Sequence, residues 1–345
     1  MDSSVALILA QDGIVNGAIY GLLGLALVLV FSVTRVIFVP QGEFVTFGAL
    51  SLAVLQTGAI PGTFWLLLAG TAWVVCGGIM SIAAGKSTFG MSFTIAMLKI
   101  SLPAVVAASL ILAGAPRGGL AIQILTTLVI VVPLGSLLYR IVYAPLASSS
   151  ILVLLIVSVA VHLAFESAGL LFFGAEGFRT PAIVDLSLKL GPLFLSGAAA
   201  SVIVVAAVLM LLLVVGLGMT VFGKALRATA SNATGARIVG IRPDRAGSLA
   251  FSIAAFIGVL SGLLIGPMTT IYYDGGFLIA LKGFVAAIIG GLHSYPLAVF
   301  GALFVGLSES VASFYASAFK DAIVFALILP VLLWRSIRAP HREEE

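Results

Sequence analysis

The sequence predicts an all-α fold, a polytopic bundle of transmembrane helices. Of the 345 residues, 61% are hydrophobic and only 9% are charged, and the mean hydropathy is +1.27. Soluble domains carry about 25% charged residues, so this chain has too little polar surface for a water-soluble monomer. The 38 glycines fit the same class, because small residues allow membrane helices to approach one another closely.

Eleven apolar segments follow one another along the chain. A helix needs ~20 apolar residues to cross ~30 Å of hydrocarbon. The segments near 42–57 and 277–292 are short and interrupted by glycine, which indicates half-helices or re-entrant segments, so we expect about 10–11 spans. The polar stretches are too short to fold alone, and residues 1–345 are therefore interpreted as a single transmembrane domain. The candidate spans are 13–33, 42–57, 62–84, 93–113, 119–139, 150–173, 192–222, 246–270, 277–292, 297–314 and 319–335.

Residues 223–245 form a strongly basic interruption between two apolar spans. Five basic residues stand there against one acidic residue, Asp244. Basic loops concentrate on the cytoplasmic side of membrane proteins, so this segment is expected to be a cytoplasmic loop that contacts a soluble partner. Orientation in the bilayer also explains the isoelectric point near 9.3, so we expect no nucleic-acid partner. The five basic residues are Lys224, Arg227, Arg237, Arg242 and Arg245.

Several ionisable residues lie inside the apolar segments. Such groups cost several kcal/mol in hydrocarbon and usually face a pathway or a partner. The candidates for a polar substrate pathway are Glu43, Glu166, Lys282 and Glu309. An equally good interpretation is that they brace helices by pairing, for example Lys282 with Glu309. His162 and Glu166 are four residues apart, so they lie on one helix face and are placed to pair.

Glycines open both of the short apolar segments. Gly42 comes directly before Glu43, and Gly275 with Gly276 precedes Lys282. Paired broken segments in two halves of a chain often mark the substrate region of transporters, so we interpret these three glycines as a hinge or gate. Another set of glycines, four residues apart on one span, predicts a close helix–helix contact: Gly258, Gly262 and Gly266.

The residues offer little support for a function in catalysis, metal binding or nucleotide binding. We identify no catalytic set and no metal site, because the histidines are scattered and zinc needs three or four ligands. The sequence Gly85-Lys86-Ser87 resembles the end of a phosphate-binding loop, but Met80 occupies the position where that loop requires glycine. The chain is therefore not expected to bind a nucleotide. The three histidines are His162, His293 and His341.

Four stretches occur in an order that is typical of one family. Residues 36–50 contain Gly42-Glu43, 137–174 contain a Tyr-Ala-Pro-Leu loop, 223–251 form the basic loop, and 275–310 contain Lys282 and Glu309. Together they resemble permeases of the branched-chain amino acid ABC importer family. The chain departs from that pattern at Gln41, where histidine is usual, and at Ala144, where arginine is usual. Residues 85–118 fit less well and are interpreted as an insertion that carries one more span.

The resemblance implies an importer with divided labour. This chain would be the membrane-spanning permease subunit and not an enzyme, with a branched-chain or other amino acid as the first candidate solute and urea or a short amide as others. ATP would be hydrolysed by partner subunits, and the chain itself would hold no cofactor. The implied partners are two cytoplasmic ATPase subunits, a second permease chain, homologous or identical, and an extracytoplasmic solute-binding protein. The implied location is the bacterial inner membrane.

The resemblance also assigns ATPase coupling to residues 223–245, with Arg227, Arg237 and Gly240 as the candidate residues. Without it, the residues also fit an ion-coupled secondary transporter or a channel acting alone. In that interpretation Glu43, Glu166 and Glu309 would carry protons or cations.

Overall fold

A computed structural model describes residues 3–83, 91–182, 187–190, 193–292 and 294–338 of the chain. The fold is an all-α bundle, as predicted, and each of the eleven predicted apolar segments contains a helix. A short antiparallel hairpin, β1 Ser187–Leu190 and β2 Leu193–Ser196, precedes one of the long helices. The helices are α1 Ser3–Thr34, α2 Gln41–Gln56, α3 Gly62–Ala83, α4 Met91–Leu112, α5 Leu120–Leu138, α6 Ile151–Phe173, α7 Gly197–Met219, α8 Val221–Ser231, α9 Ala233–Ile238, α10 Pro243–Ile265, α11 Gly275–Ile289, α12 Tyr295–Tyr315, α13 Lys320–Ala326 and α14 Ile328–Arg338.

Within the described residues, seven helices are long and apolar enough to cross a membrane. They are α1, α3, α5 with its continuation to Leu146, α6, α7, α10 and α12. The two segments predicted to be short are short, since α2 has 16 residues and α11 has 15. The last predicted span, 319–335, is divided into α13 and α14. These shorter elements, together with the apolar part of α4, Met97–Leu112, account for the difference between seven full-length helices and the 10–11 spans expected from hydropathy.

Two helices form the centre of the bundle and carry most of its contacts. In α1, 83% of the most apolar window is buried, and in α10 67%, whereas the corresponding values for α3 and α6 are 11% and 17%. Helix α1 packs against α12, α10 and α11, and α10 packs against α2 and α5. Since α3 and α7 are apolar yet largely exposed, their outer faces are suited to the bilayer or to another membrane chain.

The two short helices α2 and α11 begin next to each other inside the bundle. Helix α2 starts after Pro40 and α11 starts after Asp274. At the crossing point the backbones touch directly: a Cβ atom added to Gly42 would collide with the Gly276 carbonyl, and one added to Gly276 would collide with the Gly42 carbonyl. Only glycine permits this approach. Two of the three glycines predicted to form a gate are therefore in contact, whereas Gly275 has open space around it.

The basic segment 223–245 is folded into short helices. Helix α8 is capped by the Thr220 hydroxyl, which accepts a hydrogen bond from Gly223 N, and α9 is capped by Asn232, which accepts from Gly235 N. Serine, threonine and asparagine are favoured at this position because they satisfy free amides of the first turn. Gly240, two residues after the end of α9, has φ of +85°, a left-handed conformation that favours glycine.

Two of the three glycines of the predicted stripe lie against α2 within the same chain, whereas Gly266, at the end of α10, faces Thr180. Gly258 faces Phe44, and Gly262 faces the backbone of Val45, so closely that an added Cβ would collide with the Val45 carbonyl oxygen. Close backbone approach is a main source of helix association in membranes. The contact fixes α2 on the central helix α10.

We predict that Gly262→Ala destabilises the folded chain by about 1–3 kcal/mol, because the added methyl overpacks the α2–α10 contact. The measurement is the thermal unfolding midpoint of the purified protein in detergent. Gly77→Ala is the matched control, since Gly77 also lies in a helix but has open space where its Cβ would be. An equal midpoint for the two variants would contradict the packing role of Gly262.

Candidate functional site

A buried acid–histidine–acid cluster lies at the junction of α2, α6 and α11. His162 Nδ1 is 2.7 Å from Glu43 Oε1, and His162 Nε2 is 3.7 Å from Glu166 Oε2. The Glu43 side chain is fully buried and the Glu166 side chain is 31% exposed. The ring of Phe277, in the first turn of α11, stacks on the imidazole with 4.3 Å between ring centroids. The cluster thus runs from a buried carboxylate through histidine to a carboxylate that reaches the surface of the chain.

The fold places each member of this cluster. Glu43 lies in the first turn of α2 because the helix begins immediately after Pro40. One of its oxygens, Oε2, is buried and has no hydrogen-bond partner among the described residues. His162 and Glu166 lie on the same face of α6, as their spacing predicts. The contact between Glu43 and His162 joins residues 119 apart, and no local pattern in the sequence predicts it.

A second ionisable cluster joins α1, α11, α12 and α13. Lys282 Nζ is 2.5 Å from Glu309 Oε1 and 2.9 Å from Asp321 Oδ1. The Tyr20 hydroxyl donates a hydrogen bond of 2.5 Å to Glu309 Oε2, and Lys282 Nζ lies 5.8 Å from the centroid of the Tyr20 ring. Both carboxylate oxygens of Glu309 are partnered, so its charge is neutralised inside the bundle. The predicted pairing of Lys282 with Glu309 is present, and Tyr20 is a member that the sequence analysis missed.

The four predicted pathway residues therefore fall into two groups. Glu43 and Glu166 belong to the first cluster, and Lys282 and Glu309 belong to the second. No ion pair joins the two clusters in the part of the chain that the structure describes. No group of three or more metal-ligating side chains occurs there either. Lys86, His293 and His341 lie outside the described residues.

The residues predicted to couple the chain to ATPase subunits surround cavities at one end of the bundle. Arg227 donates a hydrogen bond of 3.0 Å to the Gly218 carbonyl and lines a cavity of about 390 Å³ together with Arg35 and Tyr295. Arg237 lines a neighbouring cavity of about 450 Å³. Gly240 follows α9 in its left-handed conformation. The basic side chains are thus grouped at the same end as the C-terminus of α1 and the N-termini of α10 and α12.

These features define a class of protein. A bundle of apolar helices, with two half-helices that meet inside it and ionisable groups at their junction, is the architecture of a membrane transport protein. The particular family follows from comparison with known sequences.

The family described as branched-chain amino acid transport system, permease component, matches residues 9–332. Among curated proteins, the high-affinity branched-chain amino acid transport system permease protein LivH of Escherichia coli K12 is 28% identical over 239 residues, which cover 66% of this chain and 77% of LivH. BraD of Pseudomonas aeruginosa, a permease protein of the same description, is 27% identical over 209 residues, covering 58% of this chain and 68% of BraD. A probable branched-chain amino acid transport permease protein, LivH of Methanocaldococcus jannaschii, is 31% identical over 116 residues, covering 33% and 37%. No solved structure matches this chain.

This chain belongs to the branched-chain amino acid transport permease family of ABC transporters. It is a multi-pass protein of the bacterial inner membrane. The match supports the importer interpretation over an ion-coupled secondary transporter or a channel. Permeases of this family are components of larger systems that include ATPase and solute-binding subunits.

We predict that Lys282→Met destabilises the chain by about 3–5 kcal/mol, because it leaves a buried carboxylate without its cation. Adding Glu309→Gln to this variant should recover a large part of the loss, since the uncompensated charge is then removed. The thermal midpoint in detergent measures both effects. Lys99→Met is the control: Lys99 is exposed on α4, so its replacement should change stability by less than about 0.5 kcal/mol. Equal effects of the two single variants would show that the buried pair does not brace the fold.

Proposed function

We propose that this chain forms one half of the membrane path of an importer for a branched-chain amino acid or a closely related small solute. The observation that carries the proposal is the cluster of Glu43, His162 and Glu166 at the junction of two half-helices, in a chain of this family. The chain itself would catalyse no reaction and hold no cofactor. ATP would be bound and hydrolysed by two cytoplasmic ATPase subunits.

The proposed assembly has two further kinds of partner. A second permease chain, homologous or identical, would supply the other half of the path, and an extracytoplasmic solute-binding protein would deliver the solute. The lipid bilayer surrounds the remaining apolar surface, and nucleic acid has no role. The size of the basic segment supports this arrangement, because α8 and α9 offer a short, positively charged surface to a soluble subunit.

The two ionisable clusters support different roles. Glu43 and Glu166 belong to a cluster that reaches the surface of the chain and retains an unpartnered oxygen, which suits contact with a polar solute. Lys282 and Glu309 are buried and paired with each other, with Tyr20 as a further partner. We therefore assign the first pair to the path and the second pair to bracing α1, α11 and α12 beside it.

Packed side chains connect α8, which is proposed to contact the ATPase subunits, to the centre of the bundle. Leu226 of α8 is buried in a small apolar cluster with Leu29 and Val33 from the end of α1 and Ala250 from the start of α10. Because packed side chains transmit displacement with little compression, a shift of α8 would move the two central helices. This supports α8 and α9 as the coupling element, with Arg227 and Arg237 on their exposed side and Gly240 at their end.

We predict that Gly240→Val lowers ATP-driven uptake and solute-stimulated ATPase activity about tenfold, because a left-handed backbone costs a non-glycine residue roughly 1–2 kcal/mol. Gly114→Val is the matched control. Gly114 has φ of +87°, and both glycines have open space around them, so the two variants carry the same local strain at different places. If both variants transport as well as the unaltered chain, the segment ending at Gly240 is not the coupling element.

The proposed function is tested by purifying the tagged chain from its native host in mild detergent and identifying the co-purifying proteins by mass spectrometry. We expect an ATPase subunit and a second permease chain. The complex is then reconstituted in liposomes with its binding protein, and uptake of radiolabelled leucine is measured with and without ATP. Uptake by the chain alone, driven by an ion gradient and independent of ATP, would overturn the proposal.

A further inference from the structure

An apolar groove lies beside the acid–histidine–acid cluster. It is a cavity of about 260 Å³ between α6, α11 and the end of α1 with the residues that follow it, lined by side chains such as Leu155, Val159 and Leu281. Phe277 lines this cavity and also stacks on His162. Phe277 thus lies between the cavity and the cluster and contacts both.

One face of α6 contributes to both the cavity and the cluster. Leu155, Val159, His162 and Glu166 follow at spacings of four, three and four residues, which place side chains on the same side of a helix. The first two line the groove and the last two belong to the cluster. Helix α11 supplies the opposite wall through Phe277. The groove therefore changes from apolar to acidic along a single seam between α6 and α11.

The charge of Glu166 restricts the environment that this face of α6 can have. Its side chain is 31% exposed although it lies within the apolar span of α6. Ionisable groups inside membrane spans almost always face a protein interior or a water-filled cavity rather than lipid. By contrast, α7 is equally long and contains no charged residue at all. Glu166 is therefore expected to face another protein surface or an aqueous space, whereas the outer face of α7 is suited to lipid.

We infer that the α6–α11 seam binds a small organic ammonium with a branched aliphatic side chain, the side chain lying in the groove and the ammonium at Glu166. This inference rests on the proposed function and specifies which surface of the path the solute contacts. The acids of the cluster outnumber its single histidine, so the seam attracts positive charge. A cavity of about 150 Å³ lined by aliphatic residues accommodates benzene, so this groove has room for a side chain such as that of leucine.

In this arrangement Glu43 does not contact the ligand, because it lies beneath the surface that the ligand meets. It is fully buried and holds His162 through Nδ1, which directs the other ring nitrogen towards Glu166. Glu43 is therefore a positioning residue, and Glu166 is the group that meets the ligand.

Cysteine labelling in the reconstituted importer tests the inference. The only cysteine, Cys76, is first replaced by serine, and Val159→Cys or Val208→Cys is then introduced. Val159 and Val208 are 42% and 50% exposed on α6 and α7 respectively, so they differ mainly in the face that they occupy. A charged, water-soluble thiol reagent should label Val159→Cys about tenfold faster, because hydrocarbon excludes charged molecules.

Ligand protection identifies the chemistry of the seam. Leucine and 3-methylbutylamine at millimolar concentration should each slow the labelling of Val159→Cys about threefold or more, as expected for a site that is largely occupied. The carboxylate analogue 4-methylpentanoate should have no effect. Adding Glu166→Gln should remove protection by 3-methylbutylamine while labelling itself persists.

Three outcomes would overturn the inference. Equally slow labelling at both positions would mean that the seam is covered by lipid. Absence of labelling together with cross-linking of Val159→Cys to another permease chain would mean that a protein occupies the groove. Protection by 4-methylpentanoate but not by the amine would mean that the site does not recognise ammonium. ATP-driven leucine uptake by vesicles whose permease carries only the Cys76→Ser replacement separates these results from a failure of the proposed function, which would abolish uptake itself.

Discussion

The crossing of two half-helices at Gly42 and Gly276 is the constraint on which the rest of the candidate site depends. A helix that begins inside a membrane protein leaves amide groups of its first turn without helical partners, and such ends are tolerated only where protein or water surrounds them. Backbone contact between the two starts keeps both ends away from lipid. It also sets the positions of Glu43, one residue after Gly42, and of Phe277, one residue after Gly276. Both side chains then contact His162.

The energetics of the two ionisable clusters follow from how completely each is paired. In the cluster of Lys282, both oxygens of Glu309 have partners and the lysine also pairs with Asp321, so removal of the lysine would leave two carboxylates without their cation and would be costly. In the cluster of Glu43, one carboxylate oxygen has no partner among the described residues. The series of contacts from Glu43 through His162 ends at the partly exposed Glu166. An incompletely satisfied polar group is unfavourable for folding alone and calls for an explanation such as a functional role. Asp321 Oδ1 of the other cluster also lacks a hydrogen-bond partner but lies 2.9 Å from Lys282 Nζ. The proposed division between bracing and contact with solute therefore rests on the buried pair of Lys282 with Glu309 and on the exposure of Glu166.

The parts of this structure that hydropathy governs were predictable from the sequence, and the parts that depend on long-range contact were not. Runs of apolar residues located every long helix, and glycine interruption identified α2 and α11 as short. The pairing of Lys282 with Glu309 was accessible because the two residues lie on successive apolar segments. The contact of Glu43 with His162 was inaccessible, since nothing in either local sequence indicates that α2 lies beside α6. The division of the last span at Leu327 was also missed, because both halves are apolar and hydropathy does not register a break between them.

Helix α10 provides the physical link between the basic end of the chain and the candidate site. Its first turns pack on Leu226 of α8 through Ala250, and its glycines lie against the backbone of α2. Between these regions, Gln41 donates a hydrogen bond of 3.0 Å from Nε2 to the Ala254 carbonyl, so the first residue of α2 is tied to α10 by a polar contact as well. Histidine is usual at the position of Gln41 in the family pattern. The hydrogen bond to Ala254 gives the glutamine of this chain a structural role at that position. Because Glu43 follows two residues later, these contacts place α10 where a displacement of the helix would shift the start of α2 and, with it, the acid–histidine–acid cluster.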